Sequence, residues 1–428
     1  MTAEHSTPGP AGRPVRRVDV LVVGAGPAGL VAAARLAASG AGRVEVLERE
    51  QEAGGVPRHC AHGGFGSRAH PRTGPVYARL LAEAAGRAGA SVRTGVTALD
   101  WTAGGTGVRA DPAVDAVGPA GPETIAARAV LLATGARERP RTARLVPGTR
   151  PAGVYTTGEL QQAVHLFGQH IGTRAVVVGA EDVSYAAADT VRAAGAEVVA
   201  LVTEHPRAQT GGIRAGAARL GHGIPLLTDT TVAELLGRGR LSGVRVRHRD
   251  GRTAVLACDT VVFTGDFVPD HELARRGGLL LDPGTRGPAV DGFLHTSRPG
   301  VFAAGNLLHA VEPAATAARE GATAATAVLG FLAGSTGWPA PGIPLTVEAP
   351  LRWIAPNRIT PAGPPAPYVL RTGAPLTRPV LRVRQDGRLL HRERPAPWTV
   401  PPGRTLTLSA RWTGQVDPAG GEVRVSAG

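Results

Sequence analysis

The sequence predicts an α/β protein of two parallel-sheet units, the second inserted in the first, followed by a small all-β domain. Three observations predict it. A strand, Gly-turn, helix, strand passage at residues 18–48 recurs at 174–202. A late segment, Pro299-Gly-Val-Phe-Ala-Ala-Gly-Asn306, and the Ala-rich helix after it give the first unit a second portion. Beyond Pro350, short runs with period-two features replace the helical patterning.

In chain order, residues 18–23 form a β-rich run, the Gly turn follows, and residues 27–38 read as a helix. The next strand is 43–48, then a helix at 75–88 and a strand at 92–99. A Gly/Pro-rich interruption at 118–122 precedes a strand at 129–133. The second unit repeats the pattern: strand 174–178, a turn at Gly179, a helix to Ala194, strands at 197–202 and 260–263. The late helix spans 313–332. Runs at 380–384, 388–392, 405–409 and 422–426, separated by Asp-Gly and Pro-Gly turns, are the strands expected of the last domain, a sandwich or barrel. The expected boundaries are a disordered tail 1–17, the first unit at 18–150 and 271–335, the insertion at 151–270, a linker at 336–350 and the β-domain at 351–428.

Composition excludes several function classes. The chain of 428 residues contains no Lys, so its 47 basic residues are all Arg. That rules out a Schiff-base amine and a P-loop lysine. The net charge is +13, but the arginines are scattered among Ala and Gly without a basic run interleaved with aromatics. Nucleic acid is therefore not the expected partner, and the charge favours anionic substrates or acidic redox partners. The two cysteines, Cys60 and Cys258, are far apart, which supplies neither a disulfide framework nor a zinc site, and a cytoplasmic chain with no metal is expected. The first 17 residues lack the apolar segment of a signal peptide. Residues 20–38 are apolar over the length of a membrane span, but Gly24, Gly26, Pro27 and Gly29 interrupt them, so no span is expected.

Gly24-Ala-Gly-Pro27-Ala28-Gly29 is a GxGxxG sequence between a strand and a helix, with Glu48 ending the next strand. This context suits a dinucleotide. The first glycine turns the chain, the second admits the pyrophosphate, and the third lets helix and strand close up. The helix N-terminus faces the phosphates, and Glu48 accepts from the ribose. The passage resembles the FAD domain of the flavoproteins that include glutathione-reductase-like and thioredoxin-reductase-like enzymes, and implies two Rossmann-like FAD/NAD(P)-binding domains. Three further motifs carry the resemblance. Glu48-Arg49, followed by Gly54-Gly55-Val56-Pro57-Arg58, leads from the adenosine ribose toward the flavin; Ala133-Thr134-Gly135 closes near the cofactor, with Val96 alongside; Gly305-Asn306 approaches the ribityl or phosphate portion. The family usually has Asp at the last position. Asn keeps the bond to a ribityl hydroxyl and adds a donor toward phosphate.

Within that class, Gly54-Gly-Val-Pro-Arg-His-Cys-Ala-His62, Thr203-Glu-His-Pro-Arg207 and Ala304-Gly-Asn-Leu-Leu-His309 are similar to subunits of hydrogen cyanide synthase and of opine- or hydroxyproline-type dehydrogenases. The resemblance implies oxidation of a carbon–nitrogen bond in a small amine or amino acid, with partner redox subunits. Disulfide reductases of the class need a redox cysteine pair, and this chain has none. His59, Cys60 and His62 follow the Gly-Gly; either histidine is a candidate base for an amine, or a holder of the loop. Arg58 is a candidate clamp for a substrate carboxylate or a partner for flavin phosphate. His309 and Glu312 are candidates for the other side of the pocket.

In the insertion, Gly179-Ala-Glu-Asp-Val-Ser184 keeps only the first glycine of the motif. Glu181 stands where a backbone should meet the pyrophosphate, so its charge is expected to replace the ligand's. The competing reading is NAD(P)H bound with altered geometry. Two rivals to the dehydrogenase or oxidase follow: an NAD(P)H-dependent flavoprotein reductase, and a non-catalytic FAD-binding subunit of a complex.

Overall fold

The structure, a computed structural model, describes residues 7–8, 13–67, 69–102, 111–310, 312–335, 337–360, 367–395 and 398–428. Runs of Val, Leu and Ile buried on both faces build a parallel sheet. Strand β1 (Pro14–Val23) passes through the Gly turn into α1 (Pro27–Ala38) and β2 (Val44–Glu48), which is buried throughout. With β3 (Ser91–Thr94) and β4 (Gly121–Leu132) the order is β3–β2–β1–β4, all parallel.

Two expectations are corrected here and a third is made specific. The tail is strand from Pro14, because the pairing of residues 15–18 with 124–127 extends β1 backward and Arg16 meets Glu123 at 3.3 Å; residues 1–6 and 9–12 lie outside the described ones. The single strand expected at 92–99 is two, since Gly95 turns the chain at φ 68° before Thr97–Trp101. The Gly/Pro interruption is the tip of a hairpin in which Ala113–Gly118 runs antiparallel to β4.

The second unit holds β5 (Val154–Thr156), α2 (Thr157–His165), β6 (Arg174–Val178), α3 (Asp182–Ala193), β7 (Glu197–Val202) and β8 (Thr260–Phe263). Its parallel sheet runs β5–β8–β6–β7, with Leu226–Leu227 at the edge. Between β7 and β8 lies an antiparallel sheet of Thr230–Arg238, Arg240–His248 and Thr253–Leu256, which period-two patterning had not revealed because its outer strands show few buried positions. This compact unit comprises residues 137–268 together with 59–63.

The remaining residues form the other unit. There β9 (Val301–Ala303) adds to the free side of β4 in parallel, and α4 (Ala314–Leu332) packs on α1. The expected linker is corrected too: Ile343–Val347 is a strand paired with Val423–Val425, and Leu345 is fully buried in the β-domain core. Among the described residues that domain has two larger sheets and a two-stranded ribbon, Leu376–Thr377 with Thr399–Val400, around one core. One orders Arg358–Ile359, Ile343–Val347, Val423–Ala427, Leu381–Gln385 and Arg388–Glu393; the other joins Leu351–Ala355, Tyr368–Thr372 and Thr405–Leu408. Among the described residues no helix is long and apolar enough to cross a membrane.

Candidate functional site

The Gly turn is shaped by what crosses it. Gly24 has φ 106°, and a Cβ there would stand 2.4 Å from the carbonyl oxygen of Ala133, so Ala133-Thr134-Gly135 runs directly over the loop. A Cβ on Gly29 would stand 2.0 Å from the Gly24 oxygen, which is the close helix–strand approach the motif needs. Gly26 differs. A Cβ there would meet nothing within 4 Å, and no side chain caps α1, which starts with Pro27. The first turn of α1 thus has no side-chain acceptor, and the space beside Gly26 is open, the arrangement a pyrophosphate fills.

The other motif residues surround that space. Glu48, 7% exposed, accepts from the Ala25 amide through Oε2 and from the Glu50 amide through Oε1, both at 3.0 Å. Each oxygen keeps lone pairs for a ribose hydroxyl. Val96 donates its amide to the Glu48 carbonyl at 2.9 Å. Arg49 bonds Asp270, whose carbonyl takes the Thr134 hydroxyl at 2.7 Å and whose amide donates to Gly135. Gly55 lies against Gly26, the two so near that a Cβ on Gly55 would be 2.9 Å from the Gly26 Cα. The short helix Val56–His59 follows, with Val56 exposed, Pro57 buried and Arg58 bonded to Glu52 at 3.2 Å. Gly305 reaches Ala28 from the far side, its virtual Cβ 2.8 Å from the Ala28 methyl. Loop, carboxylate and late turn therefore fit FAD.

Asn306 is partly committed. Its Oδ1 accepts the Glu312 amide at 3.0 Å, and its Nδ2 donates to the Glu312 carbonyl at 3.3 Å. One lone pair and one N–H remain for the ribityl chain. An Asp would lose the second bond, because a carboxylate oxygen cannot donate to a carbonyl. One of the two N–H groups of Asn306 is thus spent on a bracket closing the loop.

The residues foreseen near the flavin fall in both units. His309, 2% exposed, stacks on Trp353 at 5.4 Å, with Nε2 2.7 Å from Glu320 Oε1, while Oε2 of Glu320 accepts the Gly305 amide at 2.9 Å. A ring held in this way positions its neighbours, while its Nδ1 is buried with no partner among the described residues. Burial disfavours its charged form, yet the carboxylates of Glu320 and Glu312 outweigh that and raise its pKa. Glu320 gave no signal in the sequence, since it looks like any helix-surface glutamate.

His59, Cys60 and His62 belong to the second unit. Cys60 is buried and donates to Gln161 Oε1 at 3.4 Å; burial first, then the Glu138 charge, pushes its thiol up to about 12. Cys258 is buried as well, raised to about 11 by burial and then Asp259. The thiolate is the reactive form. Native protein treated with a disulfide reagent at pH 8 should release no chromophore, and two thiols should react once it is unfolded. Fast reaction of the native protein would show that either thiol is open.

The turn of the second unit also keeps its first glycine under a crossing strand end: a Cβ on Gly179 would stand 2.1 Å from Thr264 Oγ1. The third-glycine position holds Ser184, fully buried. It accepts the Glu181 amide at 3.2 Å and bonds Thr264 Oγ1 at 2.6 Å, which donates to the Val178 carbonyl. The Glu181 carboxylate folds over Gly265, so near that a Cβ there would be 1.8 Å from Oε1. Arg144 ties the same turn by bonds to the Thr264 and Gly265 carbonyls. Glu138 accepts the Gly158 amide at 2.8 Å, and its carboxyl is pushed up to about 7, by burial first, with the Glu181 charge adding to it.

That shift has a sign. The Glu138 acid holds its proton more tightly in the folded chain, so folding stability falls as pH rises from 4.5 to about 7 and is level above. Glu138→Gln should therefore raise Tm at pH 8 and change it little at pH 5. Equal changes at both pH values would contradict this.

Residues 18–321 match a family model described as pyridine nucleotide-disulphide oxidoreductase. Three curated relatives frame the finer reading. The alpha chain of sarcosine oxidase from Corynebacterium sp. (strain P-1) is 29% identical over 72% of this chain, which spans only 32% of that relative. An opine oxidase component of Agrobacterium tumefaciens (strain Ach5) is 35% identical over 41% of this chain and 35% of its own length. Ferredoxin–NADP reductase of Salinispora tropica is 31% identical over 68% of this chain and 87% of its own length.

Proposed function

The chain belongs to the pyridine nucleotide-disulphide oxidoreductase family, and from that premise we propose that it is an FAD-dependent oxidoreductase that oxidises a small amine or amino acid. The observation that carries this reading is the pair of carboxylates in the second unit. Glu181 covers the turn where a nicotinamide dinucleotide would bring its phosphates, and Glu138 lies close enough for their charges to interact. Like charges disfavour that ligand. Electrons from the substrate then pass to O₂, a quinone or a partner protein rather than to NAD(P)+.

Bound FAD supplies a two-electron acceptor for hydride. The chain's own residues do the rest: α1 and Gly26 receive the pyrophosphate, Glu48 the ribose, and Asn306 the ribityl chain. A substrate ammonium must first lose its proton to a base. Components of sarcosine and opine oxidases among the relatives support an N-substituted amino acid as substrate and redox partner subunits as the setting. The two buried, unpaired thiols fit a reducing compartment, the cytoplasm.

The ferredoxin–NADP reductase relative favours a second reading, reduction of the flavin by NADPH. Anaerobic absorbance separates the two. Bleaching of the yellow protein by an N-substituted amino acid, and not by NADH or NADPH, is the expected result. Rapid bleaching by NADPH would overturn it, and retained FAD that nothing reduces would indicate a non-catalytic subunit.

A further inference from the structure

The family match ends at residue 321, and the β-domain beyond it carries no chemical motif of its own. It is nonetheless bonded to the late FAD turn at two points. Arg371, on the strand Tyr368–Thr372, meets Glu312 Oε1 at 2.6 Å, with 14% and 3% of the two side chains exposed. Thr405 donates to the same carboxylate at 2.9 Å and 3.1 Å. The main chain of Glu312 is what brackets Asn306 on both sides of its amide. Along a second line, Trp353 stacks on His309, His309 bonds Glu320, and Glu320 takes the Gly305 amide. The Arg371 guanidinium, 5.2 Å over the Trp353 ring, joins the two lines.

We propose that the β-domain is the support of the FAD turn, with Arg371, Thr405 and Trp353 acting as positioning residues for Gly305 and Asn306. This rests on the assignment of that turn to FAD. A buried ion pair such as Glu312–Arg371 adds little net stability, because desolvation offsets the attraction. What it fixes is geometry. A loop already held in its bound shape spares the ligand the cost of ordering it. Asn306 and Glu312 are bonded to each other twice, so any freedom at Glu312 is felt at the ribityl contact.

The test measures FAD dissociation constants and thermal midpoints in the full-length chain. Arg371→Met should weaken FAD binding about tenfold. Val383→Ala, in the β-domain core and fully buried, should lower Tm and leave FAD affinity within about twofold. If Arg371→Met does not fold, Thr405→Val takes its place, with about a threefold loss expected. Unchanged affinity in the anchor variant, or an equal loss in Val383→Ala, overturns the proposal. A wild type that takes up no FAD would instead overturn the FAD assignment itself.

Discussion

Gly26→Val is expected to weaken FAD binding at least about a hundredfold, while the FAD-free protein unfolds close to the wild-type temperature. The two halves of this expectation have separate causes. Among the described residues, nothing beyond its own chain neighbours lies within 4 Å of a Cβ at Gly26, and its backbone, φ −82° and ψ −175°, is one that any residue adopts. A valine there costs the fold only a poorer helix N-cap, about 1 kcal/mol. The branched side chain would, however, occupy the open space at the start of α1, where a pyrophosphate must come within hydrogen-bond distance. Fluorescence titration with FAD and a thermal scan of the FAD-free protein check both halves. Normal FAD affinity in this variant would mean that the cofactor lies elsewhere.

Gly321→Val should act on the fold instead. Gly321 opens the third turn of α4, and a Cβ there would stand 2.1 Å from the Ala28 carbonyl oxygen on α1. Backbone cannot swing aside as a side chain can, so the two helices must part along a contact that includes Ala28, Ala317, Ala324 and Ala325, all buried. Overpacking of this kind costs about 3 kcal/mol, which lowers Tm by roughly 10 °C for a unit of this size. Differential scanning calorimetry of the variant measures it. FAD affinity should fall as well, because Ala28 also touches Gly305. A thermal midpoint equal to wild type would mean that α1 and α4 are not in close contact.

Much of this was legible in the residues. The first dinucleotide turn is a contiguous pattern, and each of its glycines meets the neighbour that its position requires: Ala133 for Gly24, open space for Gly26, the Gly24 carbonyl for Gly29. The second turn was legible as altered, because a glutamate in place of glycine is visible in one dimension. Its consequence was not: the carboxylate lies over Gly265, eighty-odd residues away, and Ser184 is tied to Thr264 across the same gap. The start of β1 at Pro14 and the strand Ile343–Val347 were missed because their partners, 124–127 and 423–425, supply the order that their own Pro- and Gly-rich surroundings do not.

By itself the sequence determined the two βαβ units, the FAD turn, and the absence of a dithiol pair, since each is encoded in residue types at fixed short spacing. Tertiary structure alone decided that Gly321 is a contact point, that His309 is sealed between Glu320 and Trp353, and that Glu312 is anchored by Arg371 and Thr405. The physical reason is that a buried charge or a missing side chain acquires its meaning from the group opposite. Which group stands opposite is fixed by sheet order and domain docking, and neither is written in the local pattern of the chain.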